Sequence, residues 1–202
     1  MAETKERSCE SLDFSSRIIG EAFGTYIVIE HGPQELMLID KHAAHERLLY
    51  ERLKECNDGG YAQTLLEPIP VNLDKDEYSA VMAHLEDLSR AGFEVSDFGA
   101  GMVLVRSAPL LLEGEDAASA VMEIAGHLSE QKNGVSTEHM DWIYHNVACR
   151  AAIKAGDYSN PQELVALARE LERNPQVRYC PHGRPVYVII KRREIEKQFG
   201  RV

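Results

Sequence analysis

Asp40, His42 and Glu46 stand within the run Asp40-Lys-His-Ala-Ala-His-Glu46, and their types and spacing are the first sign of chemistry in this chain. On a helix beginning near residue 42, His42 and Glu46 fall four apart and project from one face, about 5–6 Å apart at Cβ. An imidazole and a carboxylate so placed can share one metal ion or serve two neighbouring ones. Asp40, at the end of the preceding strand, can add a hard oxygen ligand or orient a ligand from behind. The same spacing also fits an amphipathic helix with a solvated polar face. His45 falls between the two on the helical wheel and reads as a surface histidine.

A second group of donors lies in Cys180-Pro-His-Gly-Arg-Pro185. Cys180 and His182, two apart in a loop stiffened by Pro181 and Pro185 and turned by Gly183, can present a thiolate and an imidazole to one ion. A rigid turn around a buried thiol is the competing reading. Arg184 in the same loop can steer a phosphate or make a structural ion pair. Cys149, in Asn146-Val-Ala-Cys-Arg-Ala-Ala152, is either a small core residue of an apolar helix or a further ligand. Together His42, Glu46, Cys149, Cys180 and His182 form a mixed nitrogen, oxygen and sulfur set suited to zinc or a borderline metal such as manganese. With Asp40 beside them they could hold two ions, the arrangement that serves phosphodiester cleavage.

These segments need elements to carry them. Gly24-Thr-Tyr-Ile-Val-Ile-Glu30 and Leu36-Met-Leu-Ile-Asp40 read as two strands of a hairpin, turned at His31-Gly-Pro-Gln-Glu35. A helix follows over about 42–54, with Ala43, Leu48, Leu49 and Leu53 apolar, stopped by Asn57-Asp-Gly-Gly60. Residues 63–73 are extended and punctuated by Pro68 and Pro70, as an edge strand would be. One helix over about 76–91, ended by Gly92, two strands around the turn 98–101, and helices over about 115–131 and 138–155 come next. Asn160 as cap, Pro161 at the first helical position and Glu163 three after the cap mark the start of another helix, running to about Arg173. Val186-Tyr-Val-Ile-Ile190 reads as a buried strand, and a short polar helix closes the chain. The pattern predicts an α/β (α+β) fold in two lobes. A mixed-sheet lobe drawn from residues 17–74 and 149–202 carries an inserted smaller αβ lobe at 75–148, and residues 1–16 form a polar leader.

At 202 residues and 44% hydrophobic content, the chain can bury a core for one medium domain or two small lobes. The net charge of −11 argues against a free-standing protein that grips DNA through a broad basic surface. Basic residues gather only near the end, at Lys191, Arg192, Arg193, Lys197 and Arg201. No apolar run approaches the roughly 18 residues that span a bilayer, and the charged start is not a secretory signal. Cys9, Cys56, Cys149 and Cys180 are scattered, which argues for a reducing cytosol and against both a disulfide framework and a thiol redox protein.

The quoted segments resemble one known family. Asp40-Lys-His-Ala-x-x-Glu46-x4-Glu51 is similar to the endonuclease motif of MutL homologues, the DNA mismatch-repair proteins. Ala148-Cys-Arg150, Cys180-Pro-His-Gly-Arg-Pro185 and Phe199-Gly-Arg201 resemble the family's other C-terminal motifs, in the same order, so the likeness covers about residues 18–202. It implies a homodimerising domain with an inserted regulatory lobe that nicks DNA with manganese or magnesium and holds zinc. His42, Glu46, Cys149, Cys180 and His182 fall on the family's metal-ligand positions, and Asp40 on its essential acidic position. Arg184, Phe199 and Arg201 are expected near the active site. Lys41 stands where the family usually has Gln, and could alter DNA approach or metal preference. Gln63-Thr-Leu-Leu-Glu-Pro68 looks like the short motif with which bacterial relatives dock on a sliding clamp, Gln63, Leu65, Leu66 and Pro68 being the contact residues. The resemblance also implies an N-terminal domain that binds ATP and engages a MutS-type mismatch-recognition partner, with cytoplasmic, nucleoid-associated action and no membrane. The alternative within the family is a non-catalytic dimerisation module with structural zinc.

Overall fold

The structure is a computed structural model that describes residues 17–55, 62–131, 136–154, 156–157, 159–180 and 182–201. The expected leader, Cys9, Cys56, the helix stop at 57–60 and Pro181 lie outside the described residues. The chain divides into two compact units, Met1–Leu48 with Ile153–Val202, and Leu49–Ala152. The expected boundaries at 74/75 and 148/149 lie inside the second unit. The extended segment at 62–72 hydrogen-bonds into that unit's own sheet, and the helix bearing Cys149 belongs there too.

The first unit is built on a four-stranded sheet from β1 (Arg17–Ala22), β2 (Tyr26–His31), β3 (Glu35–Asp40) and β7 (Tyr187–Lys191), in the order β1-β2-β3-β7. Both ends of the chain thus contribute, as expected. The sheet is antiparallel throughout rather than mixed, because β7 runs antiparallel to β3 with Leu38 opposite Val188. Alternation sends Ile27, Ile29, Met37 and Ile39 into a core. There they meet Ala43, Ala44 and Leu48 of α1 (Lys41–Glu55) and Leu164, Leu167, Ala168 and Leu171 of α6 (Pro161–Arg173). The α6 residues sit at helical spacing, and Asn160 with Glu163 closes the predicted capping box. The opposite face of the sheet is apolar as well. Tyr26, Val28, Leu36, Leu38 and Val188 line an open groove of about 700 Å³ there.

Two expectations change in this unit. β1 has no counterpart in the sequence reading; it pairs with β2 across a three-residue connection, 23–25, in which Thr25 N–H donates to the Ala22 carbonyl at 3.1 Å. Phe23 (φ 58) and Gly24 (φ 61) both take left-handed conformations there, and Phe23 is 91% exposed. β7 is not a buried strand. It lies at the sheet edge, where Val186 is buried but Val188 remains 45% exposed.

The second unit holds a three-stranded antiparallel sheet in the order β4-β6-β5, from β4 (Ala62–Asn72), β5 (Glu94–Gly99) and β6 (Met102–Pro109). The buried stripe Ala117, Ala120, Val121, Ile124, Ala125 and Leu128 of α4 (Gly114–Glu130) and the buried Met140, Ile143, Tyr144, Val147 and Ala148 of α5 (Ser136–Ala151) share one core with Val71, Val103 and Val105. The single helix expected over 76–91 is two, α2 (Lys75–Ala83) and α3 (Leu85–Arg90). The break falls at His84 (φ −117, ψ 26), whose Nδ1 bonds the Asp87 carboxylate at 2.9 Å. Near this break lies a histidine cluster. The buried His139 ring meets His84 and His127 edge-on, and His127 stacks on Trp142 with centroids 4.0 Å apart.

Candidate metal centre

Two segments of the first unit build the site. Asp40 ends β3, and its Oδ1 accepts the Ala43 N–H at 3.0 Å, so this carboxylate caps α1 and fixes where the helix begins. From that start, Glu46 comes round about one turn after His42 and is buried. The second segment is the tight turn before β7. Cys180 N–H donates to the Arg184 carbonyl at 2.8 Å and Gly183 N–H to the Cys180 carbonyl at 2.9 Å, with Gly183 at φ 78. That left-handed position is what the loop glycine was expected to permit.

The helix and the turn bring Glu46, Cys180 and His182 together: a carboxylate oxygen, the thiol sulfur and an imidazole nitrogen all lie within 4.8 Å of one another. His182 Nδ1 stands 3.6 Å from Glu46 Oε1, with side chains 53% and 3% exposed respectively. Ligands about 2.0–2.3 Å from a shared zinc are separated by at most ~4.6 Å, so the three donors need only small adjustments to close on one ion. A carboxylate oxygen, a thiol sulfur and an imidazole nitrogen are donor types that zinc and borderline divalent ions accept. The donor set therefore fits a divalent ion by chemistry as well as by spacing.

The other expected ligands are placed differently. His42 is half-buried and is not one of the group of three; its Nδ1 stands 2.9 Å from the Ile153 carbonyl oxygen. Cys149 lies on α5 in the second unit. It is exposed next to the buried Val147 and Ala148, which excludes the reading of it as a core residue. Arg184 is exposed and lines the apolar sheet groove together with Asp40. Arg201 lines a separate groove of about 440 Å³ with Arg17 and Arg192, and Phe199 is exposed at the end of α7 (Arg192–Gln198).

Lys41 turns inward. Its side chain is completely buried, so it does not reach toward DNA. Nζ bonds Glu21 Oε1 at 2.5 Å, the Asp157 carbonyl, and Ser159 Oγ at 3.4 Å. The lysine thus ties β1, Asp157 and Ser159 to the first turn of α1. His45 is likewise no surface residue. It is half-buried, and its Nδ1 receives the Ile153 N–H at 3.1 Å. No local pattern in the sequence signals either role, because Glu21 lies 20 residues before Lys41 and the remaining partners lie more than a hundred residues away.

The expected clamp segment lies in the second unit. β4 is an edge strand that pairs with β6 over 62–64 and again over 69–72, and 65–68 stand out of the ladder between. Leu66 there is 99% exposed, Glu67 and Pro68 are exposed, and Leu65 is half-buried against the core. Gln63 Nε2 donates to the Leu112 carbonyl at 2.9 Å. No helix among the described residues is long and apolar enough to cross a membrane.

Comparison with known proteins adds to this geometry. The family described as the MutL C terminal dimerisation domain matches residues 19–159. The chain is 43% identical over 180 residues to a DNA mismatch repair protein MutL of Caulobacter vibrioides, covering 88% of this chain and 28% of that protein. A protein of the same name from Phenylobacterium zucineum is 42% identical over 88% of the chain and 29% of its own length. One from Rhodopseudomonas palustris is 39% identical over 95% and 33%. The chain thus spans about three tenths of the length of the curated relatives it matches.

Proposed function

The chain belongs to the MutL family of DNA mismatch repair proteins, matching its C terminal dimerisation domain, and from that premise we propose that it is the metal-dependent, DNA-nicking and clamp-docking part of a homodimeric repair protein. The observation that carries the reading is the convergence of Glu46, Cys180 and His182 on one point beside the capped start of α1. Zinc, manganese or magnesium is the ion class such donors take, with His42 Nε2 available as a fourth donor. A divalent ion held there supplies Lewis acidity toward a phosphodiester.

This chain's own residues do the rest. Glu46 and the Cys180 thiolate supply negative charge in a buried setting, and His182, half-exposed, is the donor open to solvent. Asp40 commits Oδ1 to the helix cap and leaves Oδ2 to accept the proton of an attacking water. As the water oxygen bonds to phosphorus, the bond to the leaving sugar oxygen breaks, and that oxygen takes a proton from solvent. Arg184, exposed in the turn that carries Cys180 and His182, can orient the phosphate. The acidic balance of the domain leaves DNA affinity to the rest of the longer protein and to its partners, a sliding clamp and a MutS-type protein. The projecting Leu66 and Pro68 support clamp docking, with Gln63 leaving the Leu112 carbonyl to enter the clamp pocket. The open apolar sheet face around Leu38 and Val188 supports the dimer, a second copy covering what this copy leaves uncovered.

Nicking of supercoiled plasmid in manganese by the full-length protein tests the reading. Asp40→Asn and Glu46→Lys should each abolish nicking while the dimer persists, and undiminished nicking by both variants refutes it. One observation favours a second reading, a structural ion in a non-catalytic module: Glu46 and Cys180 are both buried, as in closed structural sites. If chelation melted the domain and no metal restored nicking in the full-length protein, that second reading would stand.

A further inference from the structure

We propose that the backbone of Ile153 sets the imidazole tautomers of His42 and His45 in opposite senses, so that His42 presents an unprotonated Nε2 as a ligand and His45 is withheld from metal at Nδ1. The argument needs only the identity of the partner atoms. A carbonyl oxygen carries no proton, so the 2.9 Å contact between His42 Nδ1 and the Ile153 carbonyl is a hydrogen bond with Nδ1–H as donor. A neutral imidazole has one such proton, and Nε2 of His42 therefore carries a lone pair. The Ile153 N–H can only donate, so His45 Nδ1, 3.1 Å away, is the unprotonated nitrogen and the proton sits on Nε2. One residue's two backbone groups are thus satisfied by two histidines three apart on the same helix face.

The arrangement is held from several sides. Lys41, the residue before His42, is anchored on the Asp157 carbonyl, Ser159 Oγ and Glu21. Asp157 Oδ2 accepts the Lys154 N–H at 2.9 Å, and Gly156 N–H donates to the Gly24 carbonyl at 3.0 Å. Ile153, Asp157 and Ser159 are therefore fastened to α1 at Lys41, His42 and His45, and the Ile153 peptide groups are fixed relative to both rings. Free imidazole favours the proton on Nε2, so His45 follows the solution preference while His42 is driven against it. A metal-binding histidine needs that second hydrogen bond to fix its tautomer and orient its ring. Ile153 is accordingly a positioning residue for His42, which lies one turn from Glu46. The inference rests on the metal-site reading given above, but its test does not.

The test is long-range proton–nitrogen correlation NMR of this chain, metal-free and labelled at histidine, in buffer of about pH 8, well above the ordinary imidazole range. His42→Gln and His45→Gln assign the two spin systems. The expected spectrum has His42 with a protonated Nδ1 and an unprotonated Nε2, and His45 with the reverse. Adding zinc should shift the His42 Nε2 resonance and leave its Nδ1 protonated. Two histidines both protonated at Nε2, or both averaging between tautomers, overturn the proposal. Ile153→Pro removes the N–H and keeps the carbonyl, so His45 should lose its fixed tautomer while His42 keeps its own. A His42 that changes with it refutes the separate control of the two rings. If that variant does not fold, the wild-type spectrum decides alone. Correct tautomers in a full-length protein that never nicks would refute the nuclease reading only. Nicking with His42 protonated at Nε2 would refute this inference only.

Discussion

Replacing Lys41 by Met should destabilise the first unit severely, although the position borders the site and could be mistaken for a DNA contact. The side chains of Lys41 and Glu21 are 0% and 16% exposed, so the pair is a largely buried one. Removing the ammonium deprives the Glu21 carboxylate and the Asp157 carbonyl of the donor they share. Breaking a buried pair from one side costs about 3–5 kcal/mol, and the residual exposure of Glu21 puts this case near ~3 kcal/mol. For a chain of this size, that loss lowers the melting temperature by roughly 6–12 °C. Combining Lys41→Met with Glu21→Leu should recover most of the loss, to within ~1 kcal/mol, because an apolar pair of similar volume replaces a charged one at little net cost. Lys41→Gln, which keeps a neutral donor, should lose only about 1–2 kcal/mol. Calorimetric melts of the wild type, the two single variants Lys41→Met and Glu21→Leu, and their double variant, all without added metal, give the cycle. A Lys41→Met melt within ~2 °C of wild type, or single-variant losses that simply add in the double variant, would refute the reasoning.

Leu66→Asp should abolish binding to the sliding clamp in a pull-down while leaving the melt unchanged, because the side chain touches solvent; Leu65→Ala, half-buried, should cost roughly 1–2 kcal/mol of stability. Retained clamp binding by the Leu66 variant would contradict the docking assignment. Val188→Glu in the open sheet face should convert dimer to monomer in sedimentation, with little change in secondary structure, and a persisting dimer would move the interface elsewhere. Burial, followed by the neighbouring His139, pushes the His127 imidazole below its ordinary value of 6.5, while Glu130 opposes the shift. A depressed folded value means that the unfolded chain takes up the proton first, so stability is full above about 6.5 and is lost as pH falls through the lower folded value. His127→Phe, which preserves the stack on Trp142, should flatten that part of the urea-midpoint profile, and an unchanged slope would exclude His127 as its source.

Local patterns made much of this molecule legible. The β-rich run Tyr26-Ile-Val-Ile-Glu30 marked a strand, and Asn160-Pro161 with Glu163 marked a helix start that the capping box reproduces. Asp40, Glu46, Cys180 and His182 could be singled out because their spacing along one helix and one turn is local, and each segment carries its own turn chemistry. What escaped depends on partners distant in sequence. Arg17-Ile-Ile-Gly-Glu-Ala22 lacks alternation and becomes β1 only through its ladder with β2. The helix predicted over 76–91 breaks because His84 leaves helical geometry, and its ring bonds Asp87. Lys41 finds an acceptor 116 residues away, so nothing near it announces a buried lysine. β7 looks like a buried strand in composition, yet its place at the sheet edge leaves one apolar face uncovered. The same excess of apolar residues that misled the burial reading is what a dimer face requires.

The most direct test of the site is X-ray absorption at the zinc edge of this chain loaded with one equivalent of zinc. The account predicts one sulfur at about 2.3 Å with nitrogen and oxygen neighbours near 2.0–2.2 Å, and loss of the sulfur shell in Cys180→Ser. A shell of nitrogen and oxygen alone in the wild-type protein, or a sulfur that survives Cys180→Ser, would contradict it.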